Sequence, residues 1–139
     1  MAKEFGGRQL QLRQLVAQEA ARMMAEDGIS DYAYAKKKAG KQLGVEDANC
    51  LPSNAQIEEE IRIFHELYNS DSQPQALQQL RQDALVVMEL FKRFNPHLTG
   101  GVLDGTAGLN SETHIHLFAD SAKEVEIFLL NQQIPYDSN

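Results

Sequence analysis

A chain of 139 residues that is 42 % apolar can build one domain with a real core, and it is too apolar for a disordered chain. It holds 13 Lys and Arg against 20 Asp and Glu, a formal net charge of -7, which argues against bulk electrostatic binding to nucleic acid. Cys50 is the single cysteine, so a disulfide framework and a thiolate zinc site are excluded. No stretch approaches the roughly 18 consecutive apolar residues of a membrane span. Residues 1–7 have no apolar run of the kind a secretory leader needs, so a cytoplasmic setting is expected.

Residues 1–95 read as helical. Residues 8–27 carry Leu12, Leu15, Val16, Ala20, Met23 and Met24 at helical spacing, with Gly28 as a left-handed stop. Asp31 is placed to cap a second helix bearing Tyr32, Ala35, Ala39 and Leu43 on one side, ended by Gly44. Ser53 with Gln56 forms a capping box before a third helix with Ile57, Ile61, Phe64 and Tyr68. Ser72 with Gln75 suggests another box. It opens a fourth helix whose Leu77, Leu80, Ala84, Val87, Phe91 and Phe94 make one apolar seam, stopped by Pro96.

Residues 96–139 read as a short αβ unit, so the expected class is α+β. Residues 97–99 suggest a strand. Residues 100–110 hold four of the nine glycines and read as a tight loop. Residues 113–119 alternate polar and apolar, the period of a half-buried strand. Asp120 or Ser121 caps a fifth helix, with Glu124 completing a box for Ser121; its apolar positions are Val125, Phe128 and Leu129, with Ile127 and Leu130 beside them. Residues 134–136 suggest the start of a further strand. Charge divides unevenly, because residues 96–139 hold six acids and one base.

The segment from Leu98 to Leu117 carries the chemistry. Gly100, Gly101 and Gly105, followed by Ser111, Glu112, Thr113, His114 and Ile115, resemble the signature of the polymerase-β-like nucleotidyltransferase superfamily. That signature is a strand, a Gly-Gly or Gly-Ser turn, and a second strand bearing two acids at alternate positions. More closely, the chain resembles a bacterial family of nucleotidyltransferase-like proteins, over most of its length. The likeness includes residues 18–32 and 118–130. It implies a nucleotide at Gly100, Gly101, Gly105 and Ser111, held with Mg²⁺ as a nucleoside triphosphate. Glycines let the backbone approach phosphates, and paired carboxylates hold the hard cation.

The match is degenerate. Glu112 stands where Asp is usual, His114 takes the place of the second acid, and Asp104 stands where a base is common. Imidazole is a poor Mg²⁺ ligand, and an acid beside a triphosphate repels it. The resemblance thus implies nucleotide binding with an incomplete catalytic site and a chain inactive by itself.

Other readings rest on the residues alone. Glu112, His114 and His116 share one strand face by alternation and could ligate Zn²⁺ or Ni²⁺, with His97 joining only in a suitable strand register. The bland alternative is a polar strand face with Thr113, Ile115 and Leu117 turned inward. Lys36, Lys37, Lys38 and Lys41 form a basic patch that could meet phosphate, nucleic acid or an acidic partner, or simply be a solvated face. Cys50 has no sequence neighbour to lower its pKa and reads as a spectator thiol. Two strands are few for a stable sheet. Either a longer product or a second copy is expected to complete it, which leaves a helical module for a protein partner or a homodimer as the alternative function.

Overall fold

Small side chains at helical spacing let three helices approach closely and build the core. The computed structural model describes residues 2–138 apart from Glu46, with side chains from residue 7 onward. Helix α1 (Ala2–Glu26) runs beside α2 (Tyr32–Gln42) and α3 (Asn54–Tyr68). Val16, Ala17, Ala20, Ala21 and Met23 of α1 pack with Ala35 and Ala39 of α2 and Ile57 and Ile61 of α3. All nine are buried, and this cluster is the main apolar store of the fold.

The helix boundaries follow local chemistry. Asp31 Oδ1 accepts the Ala33 and Tyr34 N–H groups at 2.9 and 3.3 Å. Ser53 and Gln56 form the reciprocal capping box, at 3.1 and 2.8 Å. Gly28 and Gly44 sit in the left-handed region after α1 and α2. The box expected at Ser72 and Gln75 does not form. Helix α4 (Ser72–Leu90) is entered from Asp71, which is itself helical at φ -94° and ψ -39° and gives no side-chain cap. The Gln73 N–H instead bonds the Asn69 carbonyl at 2.9 Å, so the turn after α3 runs into α4 without a capping side chain.

The apolar seam of α4 is only half used. Ala84 is buried, whereas Leu77 and Leu80 are half-buried and Val87 is exposed. A tight turn over Lys92–Phe94 and a left-handed Asn95 at φ 51° lead to β1 (His97–Thr99). The expected glycine loop opens with a short helix, α5 (Gly100–Asp104). Strand β2 is shorter than the alternation suggests and covers His114–His116. It pairs antiparallel with β1, placing His97 opposite His116, Leu98 opposite Ile115 and Thr99 opposite His114.

Helix α6 (Ala122–Asn131) is capped by Ser121, whose Oγ accepts the Glu124 N–H at 3.4 Å. Phe128 anchors it between Phe91 and Phe94, with ring centroids 5.4 and 5.3 Å apart. Residues 134–136 form no strand, and the Ile134 N–H closes the end of α6 on the Leu129 carbonyl. The protein is therefore an α+β fold, with helices first and a two-stranded sheet after them. Among the described residues no helix is long and apolar enough to cross a membrane.

Candidate functional site at the Gly-Gly turn

The strand–Gly-Gly–strand segment is held in place by carbonyls that its own backbone and the helices satisfy. The chain leaves β1 at Gly100, whose φ of +76° is costly for any other residue. A Cβ on Gly100 would stand 3.3 Å from Cδ2 of His114, so the β2 imidazole lies directly against this turn. A Cβ on Gly101 would stand 3.0 Å from the Thr106 Oγ1. The Gly101 carbonyl accepts three N–H groups, those of Gly105, Thr106 and Ala107, at 2.9, 3.0 and 3.1 Å. The Gly108 N–H donates to Ser111 Oγ at 2.9 Å. These donors are spent inside the loop.

Polar side chains of the helices grip the loop from outside. Gln73 Nε2 donates to the Gly105 and Ala107 carbonyls at 3.1 and 2.8 Å. Arg81 donates from Nε to the Val102 carbonyl at 2.8 Å and from Nη2 to that of Leu103 at 3.0 Å. His65 is buried, and its Nε2–H donates to the Thr106 carbonyl at 2.9 Å. Its Nδ1 meets Asn69 Nδ2 at 3.1 Å, so both ring nitrogens are engaged. Asn110 Nδ2 donates to the Glu26 carbonyl at the end of α1, at 2.8 Å. The sequence reading passed over His65, Asn69, Gln73 and Arg81. Their signal is a polar row at spacings of four and eight, beside the apolar one.

The predicted nucleotide-binding residues are divided by this geometry. Gly101 and Ser111 line a narrow crevice of about 40 Å³ with Glu112, Gly28 and Thr106. Gly105 faces the opposite way, towards Gln73 and the turn between α3 and α4. The Arg81 guanidinium lies beside Gly105, with Nη2 3.7 Å from where a Cβ would be. Asp104 and Leu103 are exposed, and Thr99 gives α5 no side-chain cap. Burial, then the carboxylates of Glu58 and Asp104, push the Tyr32 hydroxyl above the usual tyrosine range. The Arg22 hydrogen bond holds the Glu19 carboxyl below its usual range, in a cleft that α1 shares with α3.

The predicted metal residues are also dispersed. Glu112 precedes β2 and is exposed at the crevice. The His114 ring packs on the Gly100 turn, with its Nε2 enclosed and unpartnered. His116 is exposed and stands opposite His97. Among the described residues no group of three or more His, Cys, Asp and Glu is close enough to hold one ion. The other strand face behaves as the alternation predicts. Thr113, Ile115 and Leu117 turn towards Ala84, Val87 and Phe91 and line a largely apolar cleft of about 320 Å³. Of the lysine patch, Lys37, Lys38 and Lys41 are exposed, and Lys38 Nζ lies 5.8 Å from the Tyr34 ring. Cys50 is buried. No protein-family model matches the chain, and neither a curated protein nor a solved structure matches it.

Proposed function

We propose that the chain is a nucleotidyltransferase-like protein that contacts a Mg²⁺–nucleotide weakly at the Gly100–Gly101 turn and does not complete catalysis by itself. The observation that carries the reading is the turn's position. Gly100 and Gly101 take the chain out of β1 into α5, and the segment returns through residues 105–113 to the antiparallel β2, with Glu112 ahead of that strand and His114 against the turn. Exposed Glu112 offers one hard oxygen, which suits a Mg²⁺ ion brought in largely by its phosphates.

The same residues explain the missing chemistry. His114 supplies no second carboxylate for transfer. The inward bonding of the Gly105, Thr106 and Ala107 N–H groups removes the donors that would cradle a triphosphate. Binding of a fluorescent ATP analogue with Mg²⁺ is therefore expected in the upper micromolar range or weaker. Glu112→Ala should weaken it about tenfold, a loss of about 1.4 kcal/mol. Unchanged affinity in that variant would refute the role of Glu112.

A second reading has its own observation. No residue of α6 is buried, and Ile127 and Leu130 are exposed on it. On α4, Leu85 and Val86 are 68 % and 72 % exposed. These exposed apolar side chains, with the open edges of a two-stranded sheet, suit pairing with a second copy of the chain. Sedimentation at tens of micromolar should then give a dimer, and Val86→Asp should return it to monomer. A folded monomer for the unaltered chain would remove this reading.

A further inference from the structure

The strand register creates a pair of imidazoles that the Glu112–His114–His116 grouping does not contain. His97 and His116 are direct cross-strand partners in the antiparallel sheet. Direct partners on one face hold their Cβ atoms about 5 Å apart, close enough for two imidazoles to converge on one ion. Both residues are exposed.

His97 is also set in orientation. Its Nδ1–H donates to the Asn95 carbonyl at 2.8 Å, and its ring stands edge-on to Phe118 at 5.1 Å between centroids. The proton on Nδ1 leaves the Nε2 lone pair free and turned away from the backbone. A backbone carbonyl on the far ring nitrogen is the usual support of a metal-ligating histidine. His114 lies on the same strand face, but its ring is folded on Gly100.

We propose that His97 and His116 form a two-imidazole site for a borderline divalent cation, Zn²⁺ or Cu²⁺, with water filling the remaining positions. Imidazole favours these ions over Mg²⁺, and the divalent series favours Cu²⁺ over Zn²⁺. The site is independent of the nucleotide reading, since it uses neither the Gly-Gly turn nor Glu112.

The test is a titration of the full chain with ZnCl₂ alone at pH 7.5, following histidine ring resonances. The expected result is that the His97 and His116 signals move together and saturate at one ion per chain. His97→Ala and His116→Ala should each weaken binding about tenfold or more. Glu112→Ala should leave it within about twofold. Circular dichroism on each variant separates lost binding from lost folding. If a variant unfolds, diethyl pyrocarbonate modification of the unaltered chain serves instead, with zinc expected to protect His97 and His116 together. No movement of either ring signal, or binding that survives in both single variants, would overturn the proposal.

Discussion

Gly28→Ala is expected to destabilise the fold by about 4 kcal/mol, the sum of a left-handed backbone penalty and a backbone clash. Gly28 has φ +71°, and a Cβ there would stand only 2.2 Å from the Asn110 carbonyl oxygen. That oxygen belongs to main chain, so no side-chain rotation relieves the overlap. Asn110 is itself tied back to α1 through the Glu26 carbonyl. The substitution must therefore push residues 108–111 away from the end of α1. Urea denaturation should show the midpoint fall with little change in slope. A loss below about 1 kcal/mol would mean that the loop shifts freely, and the account of a gripped loop would be wrong.

His65→Ala is the second large effect, expected at about 3 kcal/mol. The side chain is 5 % exposed, and both ring nitrogens are engaged. Truncation leaves a cavity and strands the Thr106 carbonyl, each costing on the order of 1–3 kcal/mol. The effect should also be local. Amide exchange of Gly105, Thr106 and Ala107 should accelerate by more than the global loss explains, because their shared acceptor lies in the loop that His65 anchors. Uniform acceleration across α1 and α3 would contradict that link.

The two effects show what the loop is made of. Residues 100–111 are placed by three groups of contacts: the Gly101 carbonyl within, Gln73, Arg81 and His65 from the α3–α4 side, and Asn110 on α1. A flexible phosphate-binding loop would leave its N–H groups open. This one spends the N–H groups of Gly105, Thr106, Ala107, Gly108 and Ser111 on itself, which is why nucleotide contact is confined to the turn in the proposed function.

Local chemistry was legible at most helix ends, the box expected at Ser72 and Gln75 excepted. Asp31, Ser53 and Ser121 cap helices as their hydroxyl or carboxylate oxygens allow, and Gly28 and Gly44 stop them. The strand at 97–99 and the inward face of Thr113, Ile115 and Leu117 follow from Pro96 and from alternation. What could not be read depends on residues distant along the chain. The seam of α4 is a good helical pattern, yet α1, α2 and α3 already fill the core, so Val87 is left on an open cleft. The short α5 is favoured by the three N–H groups converging on Gly101, which no local propensity reports. The His97–His116 pairing depends on strand register, and a one-residue slip would have put the two rings on opposite faces.

The site was half legible for the same reason. Glycines and Glu112 announce themselves by type and spacing. The helix side chains that hold them do not, because Gln73 and Arg81 are ordinary polar residues on an amphipathic helix until the loop lies over them.

The most direct measurement of the central claim is a titration of isotope-labelled protein with Mg²⁺–ATP, read as backbone amide shifts. Saturable shifts are expected, centred on Gly100, Gly101 and Glu112, with smaller ones at Gly105 and none on α2. An unchanged spectrum at millimolar Mg²⁺–ATP, or shifts confined to the lysines of α2, would contradict it.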